Sequence, residues 1–340
     1  MGCVTESAGG RSLYGMNTSG LVIAVVAIGL AGCGGGSTAG ATPTPSTTAT
    51  VASALNCSLP IALDSGQQAG FLSIPSGTFT PDPSAGVSSS GITYDRPYKR
   101  WLPVRWTQVL PDGSAYAYTR EATPTPTRNE IHIVNVATGS DRVVFNQDAY
   151  HVVAYQPEGV YLDYHLNGTD ASSGLWRLDA AGSLRAYPSG RQATWGWIAA
   201  GSAWSYSVNG NRFGSNSFNR LDLSTGAVET WFTVAAPEPP APGSKSIRVI
   251  GFDGSHPLVQ VYVDDHTSQI WRLSAAGQAT RLPDLPLGVL SPPFSVADSH
   301  GTWLIAGDGS VYLYAGAVFK RVAAAPSAGS GWYVVSGACA

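Results

Sequence analysis

Charge is scarce in this chain: only 12% of its 340 residues are Asp, Glu, Lys or Arg, against about 25% in an ordinary globular protein. Methionine is confined to Met1 and Met16. Long surface helices built on Glu and Lys are therefore excluded. Nor is there an excess of positive charge: 19 basic and 22 acidic residues leave a net charge of −3, so the chain lacks the electrostatic footprint of a nucleic-acid partner. Long apolar runs are missing too. The longest, Leu21 to Leu30 (LVIAVVAIGL), is half the roughly 20 residues that a membrane-spanning helix needs. What the chain does have is 40 glycines and 23 prolines, the punctuation of short elements joined by many turns.

The short apolar run has the length of a signal-peptide h-region. It ends in Leu30-Ala31-Gly32-Cys33, which resembles the bacterial lipobox, where small residues admit a peptidase before a cysteine that carries diacylglycerol. The resemblance implies a signal peptide over 1–32, lipidation of Cys33, and an exported protein anchored to the membrane and facing out of the cytoplasm. Arg11 is the single positive side chain ahead of the run, so an uncleaved anchor, or cleavage elsewhere, stays open. Residues 33–56 (CGGGSTAGATPTPSTTATVASALN) carry no charge and no apolar periodicity. Such a composition reads as a tether.

From Cys57 to Ala340 one unit recurs. Gly174-Leu175-Trp176-Arg177-Leu178 with Gly182 is echoed by Gln269-Ile270-Trp271-Arg272-Leu273 with Gly277, and looser copies lead to Gly77, Gly139, Gly226 and Gly316. Six copies at spacings of about 40–60 residues match the period of propeller blades. Each is a short alternating strand, a glycine turn and a second strand. A further hairpin precedes most copies, as around Pro111-Asp112-Gly113-Ser114 and Pro157-Glu158-Gly159. Four strands per repeat give an all-β chain: a β-propeller of six four-stranded blades over residues 57–340. The segment Leu110 to Glu121 (LPDGSAYAYTRE), followed by IHIVNVATGS, resembles the blade pattern of the TolB and PD40 family. That resemblance implies a fold and little chemistry.

The C-terminal GWYVVSG (Gly331 to Gly337) reads as a lone inner strand, and Leu59 to Leu63 with Phe71 to Thr80 as the rest of its blade. Pairing of the two termini would close the ring. It would also set Cys57 beside Cys339, free to oxidise in an exported compartment; two unpaired thiols at frayed ends are the alternative.

Loop lengths distinguish the two faces of such a ring. The A–B and C–D turns are tight (LPDG, QPEG, ATGS, STGA), whereas the B–C and blade-to-blade segments run long, as in Arg120 to Asn129, Asn209 to Ser217 and Ala235 to Ser244. Ala85 to Leu102 is assigned to the same long side. Function on rigid scaffolds sits on variable loops, which makes Trp106, Arg120, His151, His165, Trp195, Trp197, Arg248, Asp265, His266 and Trp332 the ligand-binding candidates. Aromatic rims suit carbohydrates and peptides. The same rings could instead fill wedges between blades.

Catalytic constellations are not found. The six histidines show no HExxH or paired ligand spacing, and there is no G-x-S-x-G elbow; no metal or cofactor is implied. Asp264-Asp265-His266 is the densest polar cluster and reads as a solvated hairpin tip. Two functions from different classes follow. One is a tethered binding or scaffold module for a protein, peptide or glycan. The other is an extracytoplasmic enzyme of lactonase, lyase or glycoside-hydrolase type at the channel mouth, for which Asp253, Asp298 and His151 are the inner-strand polar residues.

Overall fold

In the computed structural model the described residues are 55–64, 68–86, 88, 91–121, 128–165, 172–189, 194–206, 217–234, 247–262, 268–283, 295–328 and 331–340. Cys33, the leader, the tether as far as residue 54, Asp265 and His266 lie outside them. Strands are numbered β1 to β25 in chain order. Blade 1 joins β1 (Cys57–Leu63), β2 (Ala69–Ile74) and β3 (Phe79–Pro81) to β25 (Tyr333–Val335), in the order β25-β1-β2-β3. The chain then makes a hairpin of β4 (Thr93–Asp95) and β5 (Arg100–Leu102). Blade 2 is β6 (Ala115–Glu121), β7 (Asn129–Asn135) and β8 (Asp141–Phe145). Blade 3 is β9 (Tyr150–Gln156), β10 (Gly159–His165), β11 (Ser172–Leu178) and β12 (Leu184–Tyr187). Blade 4 is β13 (Thr194–Ala199), β14 (Ser202–Tyr206), β15 (Ser217–Asp222) and β16 (Val228–Thr233). Blade 5 is β17 (Ile247–Asp253), β18 (His256–Tyr262), β19 (Ser268–Ala275) and β20 (Gln278–Arg281). Blade 6 is β21 (Val296–Asp298), β22 (Gly301–Ile305), β23 (Ser310–Ala315) and β24 (Val318–Ala324).

The chain is thus a six-bladed β-propeller, and its sequence pattern explains why. All six repeat glycines adopt φ between 57° and 82°, a left-handed backbone that costs glycine nothing. Alternate residues of each strand face the two neighbouring blades. In blade 4 a bulge in β13 between Trp195 and Trp197 shifts this alternation, so that Trp195, Ile198, Ala203 and Leu221 pack on blade 3, while Trp197, Trp204 and Phe218 pack on blade 5. Blade 6 meets blade 1 through Trp303, Val311 and Leu313 against Leu59, Ile61 and Leu72. Trp176 and Trp271, which repeat at one blade position, both pack toward the preceding blade.

Blade 1 is completed by the two ends of the folded region. Ile61 pairs with Val335 and Leu63 with Tyr333. Beyond β25 the tail continues the contact, with Ser336 N donating to Pro60 O at 2.9 Å and Ser58 N to Ala340 O at 2.9 Å. Cys57 and Cys339 form a disulfide.

Blade 2 departs from the repeat. Its innermost position holds a 3₁₀ turn, Trp106–Gln108, followed by a bridge from Val109 to Tyr116. Space remains between blades 1 and 2, and the β4–β5 hairpin fills it. Ile92 packs with Ala62 and Ala69 of blade 1, and Leu102 and Val104 pack with Val136 of blade 2. The segment expected on the long-loop side therefore passes through the ring wall, and its tip lies on the tight-turn face. There Arg100 Nη1 donates to Val136 O at 2.7 Å, and Arg96 donates to Ser58 O and Ala338 O. Asp95 Oδ1 lies 2.3 Å from where a Cβ on Gly113 would sit, so only glycine fits that turn. Burial is the main cause that raises the Asp95 carboxyl above its ordinary value, against the opposing charge of Arg100.

Candidate functional site

The faces differ as the loop lengths require. On one face, A–B turns of two residues join β9 to β10, β13 to β14, β17 to β18 and β21 to β22. The C–D turns there are closed by short-range bonds, as where Asp222 Oδ1 accepts from Ser224 N at 3.0 Å and Thr225 N at 2.9 Å. The Ser224 hydroxyl, which donates to the same oxygen at 2.6 Å, and then these backbone bonds hold the Asp222 carboxyl well below the usual range. On the other face, seven residues separate β6 from β7 and ten separate β14 from β15.

Trp106 stands at the centre of the ring. It packs both against the cluster shared by blades 1 and 6 and against the cluster shared by blades 4 and 5, which lie across the channel from one another. Its ring centroid is 5.3 Å from that of Trp197, which in turn lies 5.6 Å from Phe252. The absence of a regular inner strand in blade 2 thus lets one indole occupy the channel. Nearby, Gln108 Nε2 donates to Val152 O at 3.1 Å and fixes the turn that carries Trp106.

The expected aromatic rim resolves into two groups. Trp195 and Trp197 are 1% and 4% exposed; their rings are interblade wedges, which corrects the expectation that they face a ligand. Trp106 is half-buried and Trp332 is 37% exposed, so these two remain at the surface of the long-loop face. His151, at the start of β9, is half-buried beside Asn129, whose Nδ2 is 3.1 Å from His151 Nε2 and also donates to Tyr150 O at 3.1 Å. His165 ends β10 opposite Ser172, and Arg248 lies in β17 opposite Gln260; their side chains lie outside the described residues.

Arg120 is not at the channel. It lies exposed on the side of blade 2 and pairs with Glu130, its Nε 2.8 Å from Glu130 Oε2. Glu130 continues into a network around the buried His132 that the sequence did not reveal. His132 sits between Glu130 Oε2 at 3.1 Å and Asp141 Oδ1 at 2.9 Å, stacked under Tyr118 at 4.7 Å. Burial first, and then its bond to Asp141, push the Tyr118 hydroxyl up to about 12.

Asp253 and Asp298 lie on the tight-turn face and are engaged in holding it. Asp253 Oδ2 accepts from Arg272 Nε at 2.6 Å. Asp298 Oδ2 accepts from Trp303 Nε1 at 2.7 Å and from Cys339 N at 2.8 Å, and Oδ1 accepts from His300 N at 2.8 Å. Asp298 thereby ties the C-terminal tail to blade 6.

No protein-family model matches the sequence, and no curated protein is similar to it. Among solved structures the chain is similar to TolB from Acinetobacter baumannii at 14% identity, over 83% of this chain and 67% of that one, with a TM-score of 0.40. It is similar to PorZ, a surface component of the type-IX secretion system of Porphyromonas gingivalis, at 16% identity over 60% and 28% of the chains, with a TM-score of 0.38. An oligogalacturonate lyase in complex with manganese gives 14% identity over 65% and 64%, with a TM-score of 0.46. The chain spans less than a third of PorZ. These likenesses concern fold and say nothing of chemistry.

Proposed function

We propose that this chain is an exported propeller, anchored through lipidated Cys33, whose long-loop face binds a protein, peptide or glycan. The observation that carries the reading is the asymmetry of the ring. One face is stitched by two-residue turns, while the other combines long connections with the exposed ring of Trp332 and the half-buried ring of Trp106. A rigid frame with adaptable segments on one side is suited to recognition. The disulfide between Cys57 and Cys339 fits an oxidising compartment outside the cytoplasm, in line with the lipobox-like Leu30-Ala31-Gly32-Cys33.

The reading is tested by probing peptide and glycan arrays with the purified protein carrying Cys33→Ser. A specific hit that is lost when long-loop residues are replaced, and kept when tight-turn residues are replaced, is the expected result. Loss only from the tight-turn side would place the binding surface on the wrong face of the ring.

A further inference from the structure

Where blade 6 meets the closing strand, the long-loop face holds a cleft of about 370 Å³. One wall is the Ala306-Gly307-Asp308-Gly309 turn, and the other is the segment from Ala325 to Ala328 with Trp332. Both walls are fixed by backbone. Ala306 N donates to Ser310 O at 2.8 Å, and Ala325 N donates to Gly309 O at 2.7 Å, which staples one wall to the other at its base. Gly309 has φ +80°, and a Cβ on it would lie 3.4 Å from Ala325 O. The cleft is built before anything enters it.

Trp332 is an exposed aromatic side chain on a backbone clamped from two sides. Asp64 N donates to Trp332 O at 3.0 Å, and Trp332 N donates to Asp64 Oδ1 at 3.3 Å. Gly331, immediately before it, has φ +94°, and a Cβ there would lie 2.7 Å from Asp64 Oδ1; only glycine admits this clamp. An exposed indole gains nothing for folding by being held still. It does lower the entropy lost when a ligand stacks on it.

The chemistry of the lining selects the ligand. Among the described residues of the cleft there is no Lys or Arg, so phosphates, sulfates and uronates find no counter-charge. The one ionisable carboxylate is Asp308, whose Oδ1 accepts from Ser310 N at 2.8 Å and Oδ2 from Ser310 Oγ at 3.0 Å. Two bonds leave it free acceptor positions for hydroxyl donors. The indole offers a flat apolar face to ring C–H groups. We propose that this cleft is a subsite for an uncharged pyranose, with the sugar ring stacked on Trp332 and its hydroxyls donating to Asp308. This rests on the binding-module reading above and names its ligand class as a neutral glycan.

The test is titration of the purified protein with neutral oligosaccharides of glucose and of N-acetylglucosamine, read by calorimetry and by indole fluorescence. Wild type should bind at least one series. Trp332→Ala should weaken it roughly tenfold or more, and Trp332→Phe should restore part of the loss. Ser327→Trp, at an exposed position on the rim, should block binding while the melting temperature stays within a degree or two of wild type. Binding that Trp332→Ala leaves unchanged overturns the subsite but keeps a binding face. Failure of wild type to bind either series overturns the glycan class, and the binding-module reading is then decided by the peptide array alone.

Discussion

Cys57 and Cys339 lie 282 residues apart in the chain, yet their Cα atoms are 5.5 Å apart and their sulfurs are bonded. The bond stands where another blade would carry its A–B turn, because β25 and β1 are the first and second strands of blade 1 and share no peptide connection. A covalent link is thereby restored at the one blade whose inner strands come from opposite ends of the ring. Around it, Arg96 donates to Ser58 O and Ala338 O, and Asp298 Oδ2 accepts from Cys339 N.

Replacing both cysteines by serine should lower the unfolding free energy by about 2–5 kcal/mol, read from urea melts under non-reducing conditions. Unchanged stability would mean that the strand pairing of Ile61 with Val335 closes the ring without help from the bond.

Trp106 and Trp197 should be energetically coupled. Trp197→Ala removes a fully buried ring and should cost about 3–5 kcal/mol, while Trp106→Ala should cost about 2 kcal/mol because one side of its indole is open. Since the rings touch, the double variant should lose less than the sum by 0.5 kcal/mol or more, on the order expected for contacting residues. Strict additivity would show that Trp106 does not fill the channel.

The His132 network sets an acid limit on blade 2. The Glu130 carboxyl is held below its ordinary value, first by its bond to His132 and then by Arg120. Burial pushes Asp141 up, but the bonds from His132 and Tyr118 leave it lowered. Carboxyls lowered in the folded state contribute stability that is fully present above their unfolded values and is lost as pH falls through the folded ones. The melting temperature should therefore drop below about pH 4, and His132→Phe should flatten that drop. An identical acid profile in the variant would remove the network from the account of acid unfolding.

Cys33→Ser should shift the protein from the membrane fraction to a soluble exported fraction. Unchanged membrane retention would rule out the lipid anchor.

The blades were legible because they repeat. Period-2 strands and a glycine that needs positive φ leave a mark at Gly182 and again at Gly277, and both ends of a split blade carry half of that mark. The site was legible only in outline. Trp195 and Trp197 read the same as Trp332, since a sequence shows that an indole is present and not which side of a strand it leaves. In the structure a bulge between Trp195 and Trp197 in the pairing of β13 with β14 sends these two rings to opposite neighbouring blades as wedges, whereas the clamp of Gly331 and Asp64 holds the third at the surface. The β4–β5 hairpin lies on the tight-turn face, although in the sequence its length resembles an exposed insertion on the long-loop side. Its apolar residues, Ile92, Leu102 and Val104, answer a gap left by blade 2 that only the assembled ring reveals. The His132 network was invisible for a related reason: Glu130, His132 and Asp141 meet through cross-strand register, not through any motif spacing.

Photo-crosslinking in intact cells tests the binding face most directly. A photoreactive amino acid placed at Arg128, exposed at the end of the β6–β7 connection on the long-loop face, should yield a discrete adduct with an envelope protein or glycan, and the same group at Asp112, on the tight-turn face, should yield none. Adducts from Asp112 with none from Arg128 would contradict the assignment of recognition to the long-loop face.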